Sequence, residues 1–227
     1  TGIGGGVIEN DHLLMGQRGL AAEVGHITVD PDGPPCSCGQ RGHLEAISSG
    51  PAIARWVTQQ IAQGAESSLK GDVSITAREV ADAARQGDPL SNAAFQRAGL
   101  YFGRTMADLL HLFNPSVVVI GGGVSHSGEL LFQPMRASLQ QYAISPKYYD
   151  DLVITRAQLG DDAGLVGALA RHPRRKLALR AGDGADVFCR DNPQAALPGH
   201  RRHQGSAPGA GSDGRVRGFA LRGPVYG

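Results

Sequence analysis

Between Ala21 and Ala46 the sequence AAEVGHITVDPDGPPCSCGQRGHLEA gathers two cysteines, two histidines and two glutamates into one short segment. Cys36 and Cys38 stand one residue apart, His43 follows Cys38 by five positions, and His26 precedes Cys36 by ten. Two thiolates and two imidazoles form a donor set that zinc accepts in tetrahedral coordination. Gly39 and Gly42 let the backbone turn tightly around an ion, and Pro34-Pro35 stiffens the approach. Four protein donors leave no open position for water, so the metal expected at His26, Cys36, Cys38 and His43 is structural zinc. Glu23 lies three residues before His26 and Glu45 two after His43. A metal that pins both histidines therefore draws both carboxylates towards one point. Two acceptor-rich groups held by a rigid clip suit a polyhydroxyl ligand, whose hydroxyls can donate to them.

These residues need elements to position them. GGGVIENDHLLMG predicts two short strands around an Asn10-Asp11 turn, and HITV a third strand after a loop. From Leu44 to Ile61 the apolar spacing falls near three and four, which predicts helix, divided at Pro51. TAREVADAARQG predicts a helix with Thr76 as N-cap, Glu79 completing a capping box, and Gly87 as its stop. A longer helix is expected from Pro89 to Phe113, ending before Asn114-Pro115. SVVVIGGGVS reads as a buried strand running into a glycine turn. A helix over Glu129 to Tyr142, a strand at LVITRA and a small-residue helix at AGLVGALARH complete the pattern. Strands followed by alternating helix and strand imply a layered α/β domain.

Composition narrows the function. The 227 residues carry a formal net charge of +1, so no overall field draws the chain to nucleic acid or to an anionic membrane. Residues 21–46 contain one arginine, Arg41, and no Phe, Tyr or Trp, which argues against a nucleic-acid-binding zinc module. No apolar run approaches the ~20 residues of a membrane span, and the first residues lack the pattern of a secretory signal. With only three cysteines, a reducing, cytoplasmic setting is expected. The sequence enters TGIGGG with no initiator Met, and the expectation is that it starts inside a longer protein. After about His172 the character shifts to Arg, Gly and Pro without sustained apolar periodicity. Residues 173–227 are therefore expected to be a disordered or non-native tail, short of the apolar surface needed to offset ordering entropy.

The two central motifs carry a family resemblance. AAEVGH is similar to the Gly-Glu-x-Gly-His motif, and CSCGQRGHLE to the Cys-x-Cys-Gly-x-x-Gly-Cys-x-Glu motif, of the ROK family, the repressor, open-reading-frame and kinase group that includes bacterial sugar kinases. The resemblance runs from Thr1 to about Arg171 through TGIGGG, VVVIGGGVS and DDAGLVGAL. It implies a ribonuclease H-like, actin-like two-lobed ATPase fold, with residues 1–172 as the C-terminal lobe and the zinc site embedded in it.

The resemblance also implies roles. His26, Cys36 and Cys38 match zinc ligands, and His43 stands where the family usually has a third cysteine. Ala22 stands in place of the usual glycine before Glu23. Glu23, His26 and Glu45 match sugar-binding positions, with His26 serving zinc and sugar through its two ring nitrogens. Thr1, Gly2 and Gly4 match the second phosphate motif, and Gly121, Gly122 and Gly123 the glycine segment near the nucleotide. The implied activity is ATP- and Mg²⁺-dependent phosphorylation of a hexose, with glucose to glucose 6-phosphate as the expected reaction of a glucokinase-like parent. Fructose, mannose, allose and N-acetylmannosamine are rival substrates. The general-base Asp and first phosphate loop are expected upstream of residue 1, so no catalytic residue is assigned within the chain and the isolated chain is expected to be inactive. Asp11 follows Asn10 but lies in the predicted hairpin turn after the phosphate motif, and is set aside. The alternative is the sugar-sensing domain of a ROK-family transcriptional repressor. Homo-oligomerisation is expected by family analogy.

Overall fold

A computed structural model describes residues 2–70, 74–160 and, as backbone, 216–222. Strands β1 (Gly4–Glu9) and β2 (His12–Leu13) form an antiparallel hairpin in which Glu9 pairs with His12. Asn10 and Asp11 both take positive φ, 50° and 63°, the geometry that lets a two-residue turn follow the twist of its strands. The glycines Gly4 to Gly6, expected as a turn, are themselves part of β1. The HITV strand does not form. His26 ends a one-turn 3-10 helix, Val24–His26, and Thr28 makes a single bridge to His43.

The helices follow their local signals closely. Ser49 separates α1 (Leu44–Ser48) from α2 (Gly50–Ala62), its side chain accepting from the Ala52 N–H, and Pro51 sits in the first turn of α2 where its missing donor costs nothing. In α3 (Ala77–Arg85) the Thr76–Glu79 capping box is complete in both directions. Next come α4 (Pro89–Phe113), strand β3 (Val117–Ile120), α5 (Glu129–Tyr142) and strand β4 (Val153–Arg156). The expected helix at AGLVGALARH lies outside the described residues.

The sheet has the order β2-β1-β5-β3-β4, with β5 formed by Val216–Arg222. β5 runs antiparallel to β1 and parallel to β3, and β3 runs parallel to β4. Residues 216–222 thus depart from the disorder expected of the tail. Their composition matches the flanking sequence, but the backbone edges of β1 and β3 supply hydrogen-bond partners that composition does not reveal. The rest of 173–227 lies outside the described residues.

Two apolar clusters hold the layers together. Val7, Val118 and Ile120 of the sheet pack with Met106 and Leu110 of α4 and Met135 and Leu139 of α5. Ile53, Val57, Val80, Phe95 and Leu131 form the second cluster among α2, α3, α4 and α5. The α4–α5 crossing is close because a Cβ on Gly103 would stand 2.1 Å from the Met135 carbonyl oxygen. Among the described residues no helix is long and apolar enough to cross a membrane.

Candidate functional site

The segment between β2 and α1 has almost no regular structure, and short backbone bonds fold it back on itself. The Val29 and Asp30 amides donate to the Gly42 carbonyl, Gly42 donates to Pro34, and Cys36 donates to Gln40. Gly42 takes φ +67°, and a Cβ there would lie 1.5 Å from the Asp30 carbonyl oxygen, so glycine is required on both counts. Gly39, at φ +91°, makes the turn between the cysteines and His43. Leu44 donates to the Ile27 carbonyl and docks the start of α1 beside the 3-10 turn that carries His26.

This folding brings the four expected metal ligands together. One donor atom from each of His26, Cys36, Cys38 and His43 lies within 4.8 Å of the other three. Cys38 Sγ is 3.2 Å from His43 Nδ1, and the two imidazole rings meet edge to face at 5.3 Å. Bond lengths of about 2.0–2.3 Å around zinc place tetrahedral ligands roughly 3.3–3.8 Å apart, so the set fits the ion with small movements. Cys36 and His43 are buried, His26 is half-buried and Cys38 is exposed.

The carboxylates border this cluster. Glu23 is exposed, with Oε2 3.6 Å from His26 Nδ1. It is the centre of a tight three-residue turn in which the Val24 amide donates to the Ala22 carbonyl. Glu45 lies in the first turn of α1, where a negative charge is favourable, and both its oxygens are engaged. Oε2 accepts from the Ile3 N–H at 2.9 Å and Oε1 from the Ser37 hydroxyl at 3.3 Å. Sequence reasoning did not find Ile3 or Ser37 as partners of Glu45. The position of Ser37 between the two cysteines was the available signal. A second unforeseen set braces the loop from outside: the Tyr101 hydroxyl donates to Asp30, and the Arg97 guanidinium stacks between the Trp56 and Tyr101 rings. Burial pushes the Tyr101 phenol up and the Arg97 guanidinium down from their ordinary values.

The two glycine segments lie at one end of the sheet. Leu221 of β5 pairs with Gly5 on one side and with Ile120 on the other, which sets Gly4 and Gly5 two strand spacings, about 10 Å, from the end of β3. Gly121 to Gly123 follow β3 there, at the carboxyl ends of its parallel strands, where α/β sheets present ligand crevices. Gly122 takes φ +85°, and a Cβ at Gly122 or Gly123 would meet nothing within 4 Å, so the loop offers open backbone. Gly2 is partly buried ahead of β1, and Thr1 lies outside the described residues.

The comparisons with known proteins agree with this arrangement. The profile of the ROK family matches residues 1–174. The glucokinase of Thermotoga maritima is 40% identical over 176 residues, covering 74% of this chain and 54% of that protein. The DNA-binding transcriptional dual regulator NagC of Escherichia coli K12 is 32% identical over 176 residues, covering 78% of this chain and 43% of the regulator. Among solved structures, a ROK family glucokinase from Streptomyces griseus in complex with glucose and AMPPNP matches with a TM-score of 0.66 and 40% identity, covering 74% of this chain and 56% of that one. The chain spans about half the length of the curated relatives it matches.

Proposed function

This chain belongs to the ROK family, and from that membership we propose that it is the sugar- and zinc-holding part of an ATP-dependent hexose kinase, with glucose as its hexose and the 6-hydroxyl as the acceptor. The observation that carries this reading is the cluster of two thiols and two imidazoles with Glu23 and Glu45 at its border. It stands in a chain 40% identical to a glucokinase solved with glucose and AMPPNP.

In this reading His26, Cys36, Cys38 and His43 hold zinc, and the ion supplies structure only. By fixing His26 and His43 the clip sets the positions of Glu23 and Glu45. Their carboxylates and the free nitrogen of His26 take hydrogen bonds from the sugar hydroxyls. Thr1, Gly2 and Gly4 present backbone N–H groups to the ATP phosphates, with Mg²⁺ bridging them, and Gly121 to Gly123 accommodate the adenosine side by having no side chain in the way. Phosphoryl transfer depends mainly on positioning and charge stabilisation, with a base to orient the nucleophile. The base and first phosphate loop are assigned to sequence upstream, so the chain alone binds but does not turn over.

Native mass spectrometry with and without a chelator, paired with glucose titration calorimetry, tests the reading. One zinc per chain and chelator-sensitive glucose binding are expected. Cys38→Ser should lose metal and sugar binding together, and Glu45→Gln should lose about tenfold in sugar affinity while keeping zinc. Sugar binding that persists in a metal-free Cys38→Ser protein would break the link. The second reading, the sugar-sensing domain of a transcriptional regulator, is supported by the 32% identity to NagC. The parent protein separates the two: a kinase releases ADP in a glucose-dependent way, whereas a regulator changes its DNA affinity with sugar and releases none.

A further inference from the structure

The Glu45 carboxylate joins three segments that are distant in sequence. Its Oε2 accepts from the backbone of the glycine run at Ile3, its Oε1 accepts from Ser37 in the cysteine loop, and its own backbone belongs to α1. Ile3 is also confined from the opposite side, because a Cβ on Gly25 would stand 1.9 Å from the Ile3 carbonyl oxygen. Gly25 in turn adjoins His26 in the 3-10 turn. The glycine run is thus held between two elements that both carry candidate metal ligands.

We propose that Ser37 is a positioning residue, which conveys metal occupancy to the Glu45 carboxylate and through it to the glycine run at Ile3. Ser37 lies between Cys36 and Cys38, so an ion that fixes both thiolates fixes the backbone on each side of the hydroxyl. At 3.3 Å and exposed to water, the Ser37–Glu45 bond is weak while the loop is free to move. Immobilising the loop by metal removes most of the entropy that forming the bond would otherwise cost. An ionised carboxylate has about four acceptor positions. Ser37 and Ile3 occupy one on each oxygen, so each oxygen keeps an acceptor for a ligand hydroxyl and the carboxylate cannot rotate freely. Metal, sugar and glycine run then share one side chain. The ligand part of this inference rests on the proposed sugar-kinase reading; the mechanical link from Ser37 to Ile3 does not.

The test compares the wild-type chain with Ser37→Ala and Ser37→Thr, each with and without zinc. Zinc affinity is read by chelator competition, exchange of the Ile3 amide by hydrogen–deuterium exchange, and glucose affinity by calorimetry. All three proteins should bind zinc within about twofold of one another, since Ser37 is not a ligand. Zinc should slow Ile3 exchange in the wild type and in Ser37→Thr, and should slow it about threefold less in Ser37→Ala, a loss of the size expected for one exposed hydrogen bond. Glucose affinity should fall by a similar factor in Ser37→Ala and recover in Ser37→Thr. An Ile3 response to zinc that is the same in Ser37→Ala as in the wild type overturns the proposal. Should Ser37→Ala fail to fold, Glu45→Ala decides: its Ile3 amide should no longer respond to zinc, and an unchanged response overturns the link. A wild-type chain that binds zinc and no glucose defeats the sugar reading, while the exchange measurement still decides the role of Ser37.

Discussion

Ala22 holds a backbone conformation that suits glycine. Its φ is +67°, in the left-handed region where a Cβ crowds the following carbonyl, and the loop keeps it there by two contacts. The Val24 amide donates to its carbonyl at 2.8 Å, and that same oxygen stands 2.9 Å from where a Cβ on Gly5 would lie. Ala22→Gly should therefore raise stability by up to about 1 kcal/mol, less the extra freedom that glycine brings to the unfolded chain. Thermal unfolding with the site metal-loaded checks this, and a lower melting temperature would show that the φ is unstrained. The position was visible in the sequence as a departure from the family motif. The four metal donors were visible as well, because their types and spacing restrict them to one short loop. Ser37 and Ile3 were not, because 42 positions separate Ile3 from Glu45 and no local pattern records which amide a carboxylate will meet.

At the scale of elements, Asp88 ties the helical layer together. As N-cap of α4 its carboxylate accepts from the Ser91 N–H, and it also accepts from the Ser68 amide and the Ser67 hydroxyl in the loop after α2. Burial pushes its carboxyl up, but the hydrogen bonds from Ser91, Ser68 and Ser67 outweigh that and bring it down to about 2 from the ordinary 3.8. A depressed carboxylate stabilises the fold fully above its unfolded value and loses that contribution as pH falls through the folded one. Acid unfolding should therefore include a component between about pH 4 and pH 2 that Asp88→Asn removes. Asp88→Ala should cost about 1–2 kcal/mol at neutral pH, the usual range for a lost N-cap. A pH profile identical in Asp88→Asn and wild type would contradict the assignment. The boundaries of α3, α4 and α5 were legible because caps, Gly87 and Asn114-Pro115 act within a turn of the residues they terminate. HITV misled because a β-rich tetrapeptide becomes a strand only with a neighbour along its length. Here Thr28 has one bridge, and Val29 donates to a loop carbonyl instead.

Across the whole molecule, the least legible feature was β5. It joins the hairpin β1–β2 to the parallel pair β3–β4, and it comes from a stretch whose composition predicted no order. Pairing between residues near opposite ends of the chain leaves no local trace for periodicity to detect. Truncation before residue 216 should uncover one edge of β1 and one of β3, and exposed edges template association between molecules. Light scattering should rise, and exchange at the Gly4 to Ile8 amides should quicken. A truncated protein that stays monodisperse with β1 protected would show that the sheet does not need this strand.

The place of β5 in the sheet also sets an order in time. A ribosome releases β1, β2, β3 and β4 long before Val216, so the newborn chain carries two half-sheets that wait for their middle. Closing contacts this far apart in sequence is slow, and unpaired strands are sticky in the interval. The yield of this protein in a cell is then a matter of waiting time and chaperone supply as much as of final stability.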